Sequence, residues 1–213
     1  MSHFIGLCFG EYWESDLDPY CEGLEVEPYI KYTKQEAIEK AKRSQEVNYN
    51  DAIKCVNLDS VRPESLKYYN SVIAKGMCIS DEEAWEMVKS WGYTIDEEDN
   101  LLTTYNPDSK WDWYEVGGRW SGFLVLKEKD EEGDIIETNQ ALFSEIDWDY
   151  MLNHRYPPFC FVDIEGSWNE KGEMGWWGIA FDEKPDTTWE DTFKEYLKTV
   201  EDDCLVTVVD FHI

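Results

Sequence analysis

No apolar run in this 213-residue chain approaches the roughly 20 residues that a membrane helix requires; the longest, at 159–164 and 205–209, are strand-length. No membrane partner is expected. The opening Met1-Ser2-His3-Phe4-Ile5-Gly6-Leu7 lacks a basic stretch and soon meets Glu11, so it does not read as a secretory signal and the location expected is cytoplasmic. The six cysteines contain no CxxC pair, and the three histidines, His3, His154 and His212, lie far apart in sequence. That pattern gives neither zinc spacing nor a disulfide framework, and the expectation is reduced thiols, no metal and no cofactor. GxGxxG and GxxxxGK[ST] phosphate loops are missing too.

Basic charge is the scarcest resource, with 19 Lys and Arg against 47 Asp and Glu, a formal net charge of -28. A phosphate-gripping protein shows a basic footprint, so direct binding of duplex nucleic acid is excluded from the expected functions. Two readings of the acids stay open. They can be a solvated coat that keeps the protein in solution, or rows of carboxylates that imitate a nucleic-acid backbone and fill the basic groove of another protein. For the second, Asp130, Glu131, Glu132 and Asp134 are the candidate partner-binding residues.

Aromatic residues are abundant, with 11 Trp, and they cluster. One run is Lys110-Trp111-Asp112-Trp113-Tyr114-Glu115-Val116-Gly117-Gly118-Arg119-Trp120; a second spans residues 168–177 and holds Trp168, Glu173, Trp176 and Trp177. Read as an extended strand, the first run sets Trp111, Trp113 and Glu115 on one face and Lys110, Asp112 and Tyr114 on the other. If the runs converge, Arg119 offers a fork and Lys110 a point charge to a phosphate or carboxylate, while a Trp face stacks a base at ~1–3 kcal/mol. The candidate ligand residues are therefore Lys110, Trp111, Asp112, Trp113, Tyr114, Arg119, Trp120, Trp168, Glu173, Trp176 and Trp177. The alternative is structural: Arg119 pairs with Asp112 or Glu173 and stacks on Trp120. Asp112, Glu115, Glu165, Glu170 and Glu173 could include an acid–base pair, but no His or Cys sits beside a partner in sequence. No catalytic residue is assigned, and a non-enzymatic role is favoured.

Local patterns predict a strand at 3–10, an irregular acidic segment at 11–27, and helices opened by capping boxes at Thr33-Lys34-Gln35-Glu36, running to about Ser44, and at Ser80-Asp81-Glu82-Glu83, running to Gly92. Further on they predict a bend at Gly117-Gly118, a strand at 123–127, an acidic loop at 129–134 and a helix from Ser144 to before Pro157. A hairpin of 159–165 with 176–181 follows, then a helix capped by Thr187 with Glu190 and a buried strand at 205–211. This order predicts one α+β domain over 1–213, with a mostly antiparallel sheet, helices packed on one face and a helical insertion around 33–100.

The opening Met1-Ser2-His3-Phe4, the acidic stretch Leu24-Glu25-Val26-Glu27-Pro28-Tyr29, the segment Asn106-Pro107-Asp108-Ser109 leading into the first Trp run, and Gly172-Glu173-Met174-Gly175-Trp176 together resemble a family of uncharacterised bacteriophage and bacterial proteins. That resemblance implies a phage or mobile-element origin, hence the host cytoplasm, and brings no reaction with it. Joined to the charge, it gives the expected function: an acidic protein that binds and inhibits a host protein, such as a nucleic-acid-binding defence protein. The alternative is a protein that sequesters or cleaves a nucleotide signal at the Trp/Lys/Arg motif.

Overall fold

The computed structural model describes residues 2–57, 61–175 and 178–213. In chain order these form β1 (His3–Phe9), α1 (Trp13–Leu17), β2 (Glu25–Tyr32), α2 (Lys34–Val56), α3 (Pro63–Lys75), α4 (Asp81–Lys89), β3 (Thr94–Ile95), β4 (Leu101–Tyr105) and β5 (Trp113–Val116). Then come β6 (Leu124–Lys129), β7 (Ile135–Thr138), β8 (Gln140–Leu142), α5 (Trp148–His154), β9 (Cys160–Val162), β10 (Trp168–Glu170), β11 (Glu173–Met174), β12 (Ala180–Phe181), α6 (Asp186–Leu197) and β13 (Leu205–His212). The class is α+β with mostly antiparallel pairing. No helix among the described residues is long and apolar enough to cross a membrane. Two compact units divide the chain, one from Met1–Glu25 with Tyr105–Ile213 and one from Val26–Thr104.

In the first unit the two most apolar strands, β1 and β13, pair antiparallel at the centre of a six-stranded sheet, from His3 opposite His212 to Phe9 opposite Val206. Strand β9 joins β1 in parallel and is followed outward by β10; β5 and β8 pair with different stretches of β13. Alternation along the strands divides the core in two. On one face Ile5, Leu7, Phe9, Phe161, Val206 and Val208 pack under Met151 of α5 and Trp189, Phe193 and Leu197 of α6. On the other, Phe4, Cys8, Val162, Val209 and Phe211 pack under Trp111 and under Trp13 and Leu17 of the short α1. Each such large apolar side chain contributes roughly 1.5–3 kcal/mol by leaving water.

The second unit holds α2, α3, α4 and the three-stranded sheet β2-β4-β3 around a core of Ala37, Ile38, Ala41, Ala84, Val88 and Leu101. Both capping boxes form. Thr33 and Ser80 accept from the amides of Glu36 and Glu83, and those carboxylates accept in return from the amides of Thr33 and Ser80.

Several local expectations are corrected. Helix α2 continues past Ser44 to Val56, with Gln45 buried on its inner side and donating to the Gly76 carbonyl at 2.7 Å. The antiparallel partner of β9 is Trp168–Glu170; Ala180–Phe181 pairs instead with Glu173–Met174, and Trp176 and Trp177 lie outside the described residues. The segment at 144–157 contains a 3-10 turn, Phe143–Glu145, before the shorter α5. Thr187 does not cap α6, which starts at Asp186 after Pro185, and Glu190 pairs with Lys194 one turn on.

Candidate functional site

The sheet face that is apolar through Ile5, Leu7, Val206 and Val208 turns polar where β1 begins and β13 ends. Strand alternation puts His3 on the side of Ile5, and Asp210 and His212 on the side of Val208. Asp210, only 2% exposed, receives the His3 Nδ1–H on Oδ1 at 2.9 Å and the Arg119 amide on Oδ2 at 3.0 Å. A carboxylate can only accept, so Nδ1 carries a proton, and Nε2 is left for a partner outside the pair. Beside it, His212, 3% exposed, donates Nδ1–H to Asp112 Oδ1 at 2.6 Å, and its buried Nε2 has no hydrogen bond among the described residues. The two imidazoles meet edge to face at 4.9 Å, and Trp113 stacks on His212 and makes a T-shaped contact with His3.

The glycine pair of the motif makes this arrangement possible. Gly118 has φ +47°, and a Cβ there would lie 2.5 Å from both Cβ and Oδ2 of Asp210. Gly117 has φ +75° and leaves equally little room against Asn139. Only Gly lets the backbone run that close and present the Arg119 amide to a buried carboxylate.

His3 lines a cleft of about 500 Å³. Its apolar lining is Ile5, Pro157, Phe159, Met174 and Trp189, and one wall is Trp120, whose indole N–H donates to the Tyr156 hydroxyl. The charged side chains of the lining are Lys171, Asp186 and Glu190. Lys171 is consumed internally, contacting Asp186 at 2.7 Å and Glu183 at 3.0 Å, and its hydrogen bond to Asp186 raises its pKa.

The sequence-selected residues separate into distinct places. Asp112, Trp113 and the Arg119 amide belong to the histidine cluster, and Trp120 to the cleft wall. Strand β5 starts only at Trp113, so Trp111 does not share its face; Trp111 is buried against the opposite side of the sheet with Tyr114, its indole N–H donating to the Leu17 carbonyl. Burial raises the Tyr114 hydroxyl's pKa. Lys110 and Trp168 converge on Glu170, at 2.6 Å to Oε1 and 2.8 Å to Oε2, tying the segment before β5 to the edge strand β10. The Arg119 side chain is exposed and pairs with neither Asp112 nor Glu173. Glu173 is exposed on β11. Asp130, Glu131, Glu132 and Asp134 form the turn between β6 and β7, where the Asp130 carboxylate accepts from the amides of Glu132 and Asp134.

His3, His212 and Asp210 were absent from the sequence candidates. Their signal was a polar residue at an inward position of an apolar strand, repeated in the first and last strands. Among the described residues, no group of three His, Cys, Asp or Glu side chains is placed to hold a metal ion. No family model, curated protein or solved structure matches the chain.

Proposed function

We propose that this is a small-molecule-binding protein whose cleft takes a ligand with a flat apolar body, oriented by His3. The single observation that carries the reading is the pairing of the lining residue His3 with the buried Asp210. A carboxylate buried in the sheet holds the imidazole by Nδ1 and leaves Nε2 to meet a ligand in a cleft with a largely apolar lining. A binding site needs such an apolar cavity with few, firmly held polar groups. The nucleotide-signal reading survives here only in part, because Lys110 is committed to Glu170 and Lys171 to two carboxylates. What supports it is the aromatic wall, not a grip on phosphate. In an NMR screen of uncharged heteroaromatic fragments and nucleosides, hits should shift the His3 imidazole signals and the Trp120 indole N–H, and lose about tenfold in affinity in Asp210→Asn. Hits confined to Val26–Thr104, or no hits, would overturn the reading.

A second reading rests on charge. The unit formed by Met1–Glu25 and Tyr105–Ile213 carries 32 of the 47 acids and nine of the 19 bases. Such a surface favours a basic partner and steers its approach; given the resemblance to phage proteins, that partner would be a host protein that the chain inhibits.

A further inference from the structure

We infer that the cleft selects a planar organic cation with N–H donors, of the aromatic amidine or guanidine class, over its neutral and anionic isosteres. The inference rests on reading the cleft as a ligand site and adds the sign and hydrogen-bond polarity of the ligand.

Three observations set the sign. First, the lysine of the lining is doubly paired: Lys171 touches both Asp186 and Glu183, so no free ammonium in the lining awaits an anion. Second, Asp186 and Glu190 line the cleft on the first two turns of α6; Glu190 is paired with Lys194, but the single charge of Lys171 is shared by Asp186 and Glu183, which leaves that group net negative, with Asp186 largely exposed. The positive end of the α6 dipole would otherwise favour an anion, and Asp186, in the first turn, offsets it. Third, the buried Asp210 carboxylate holds the lining residue His3 by Nδ1, so in the neutral ring Nε2 is a lone-pair nitrogen backed by negative charge. A ligand N–H can donate to it, whereas a carboxylate or phosphate oxygen would meet it lone pair to lone pair.

The shape of the lining adds to this. Ile5, Phe159, Met174 and Trp189 supply apolar lining, and the hydrogen-bonded Trp120 and Tyr156 supply an aromatic surface that attracts cations. A ring with an amidinium at one end can lie against the apolar lining, donate to His3 Nε2 and bring its charge to Asp186.

Benzamidine, benzamide and benzoate have nearly the same size and differ in charge, and they provide the test. Titrated into the full-length chain at low salt with NMR detection of the His3 and Trp120 signals, benzamidine should bind about tenfold tighter than benzamide, and benzoate weakest. In the Asp186→Asn/Glu190→Gln double variant the preference for benzamidine over benzamide should fall to about threefold or less, with the melting temperature retained. Equal binding of all three at His3 would overturn the charge selectivity and keep the cleft as a ligand site. Tighter binding of benzoate would reverse the inference. Failure of all three to perturb His3 or Trp120 would overturn both the inference and the cleft reading.

Discussion

At the residue scale, the arrangement turns on a backbone that must pass a buried carboxylate at close range. At Gly118 a side chain faces a double penalty, a left-handed φ of +47° and a 2.5 Å approach to Asp210. Gly118→Ala should cost roughly 2–4 kcal/mol of stability in a denaturant titration, since strain and the displaced Asp210 act together. The same variant should broaden or move the His3 imidazole signals, because the amide of Arg119 would no longer hold Asp210 Oδ2. Gly133 is the internal comparison. It also has positive φ, +88°, but a Cβ there meets nothing within 4 Å, so Gly133→Ala should cost only about 1 kcal/mol. Equal losses at the two positions would mean that the approach to Asp210 carries no weight.

At the element scale, both capping boxes show local chemistry deciding where a helix starts. The Thr33 amide, followed by its hydroxyl, holds the Glu36 carboxylate below its ordinary pKa. A carboxyl whose folded pKa is lowered stabilises the fold above its unfolded pKa, and that contribution disappears as pH falls through the folded pKa. Loss of the N-cap hydroxyl in Thr33→Ala should by itself cost about 1 kcal/mol. The difference in stability between the wild type and Glu36→Gln should shrink on acidification from pH 7 to below about 4. A difference that stays constant would remove the box from the acid dependence. These helix starts were legible because all their partners lie within four residues. The end of α2 was not, since its second half is held by tertiary contacts such as Gln45 to the carbonyl of Gly76. The Thr187–Glu190 pattern misled because the same spacing suits an ordinary helix interior, where Glu190 finds Lys194. In the candidate site, Gly117, Gly118 and Trp120 announced themselves as a motif. His3 and His212 did not, because they meet only when the first and last strands pair, 209 positions apart in the register His3 to His212.

At the scale of the whole molecule, charge is the dominant quantity, and it is unevenly placed. The unit that contains the histidine cluster has more than three acids for every base, so any basic partner is attracted to it before contact. Screening limits that attraction to about 8 Å at physiological ionic strength, which makes protruding carboxylates the effective ones. The turn between β6 and β7 is such a place, but its four acids are not equivalent. Asp130 accepts two amides of the turn, and reversing it would unfold the turn as well as change its charge. Glu131→Lys, Glu132→Lys and Asp134→Lys together leave that carboxylate in place and change stability by about 0.5 kcal/mol or less per site. If the acidic surface recruits a host protein, native mass spectrometry of the gently purified wild-type protein should show a retained partner that the triple variant loses. The loss should appear mainly as slower association, with the wild-type rate falling steeply as salt is raised and the variant's rate much less so. A partner retained equally by both would mean that this turn does not recruit it. A retained mass of a few hundred daltons, kept by the triple variant and lost in Asp210→Asn, would place recognition in the cleft, because the two sets of residues are built on different elements and can be altered independently.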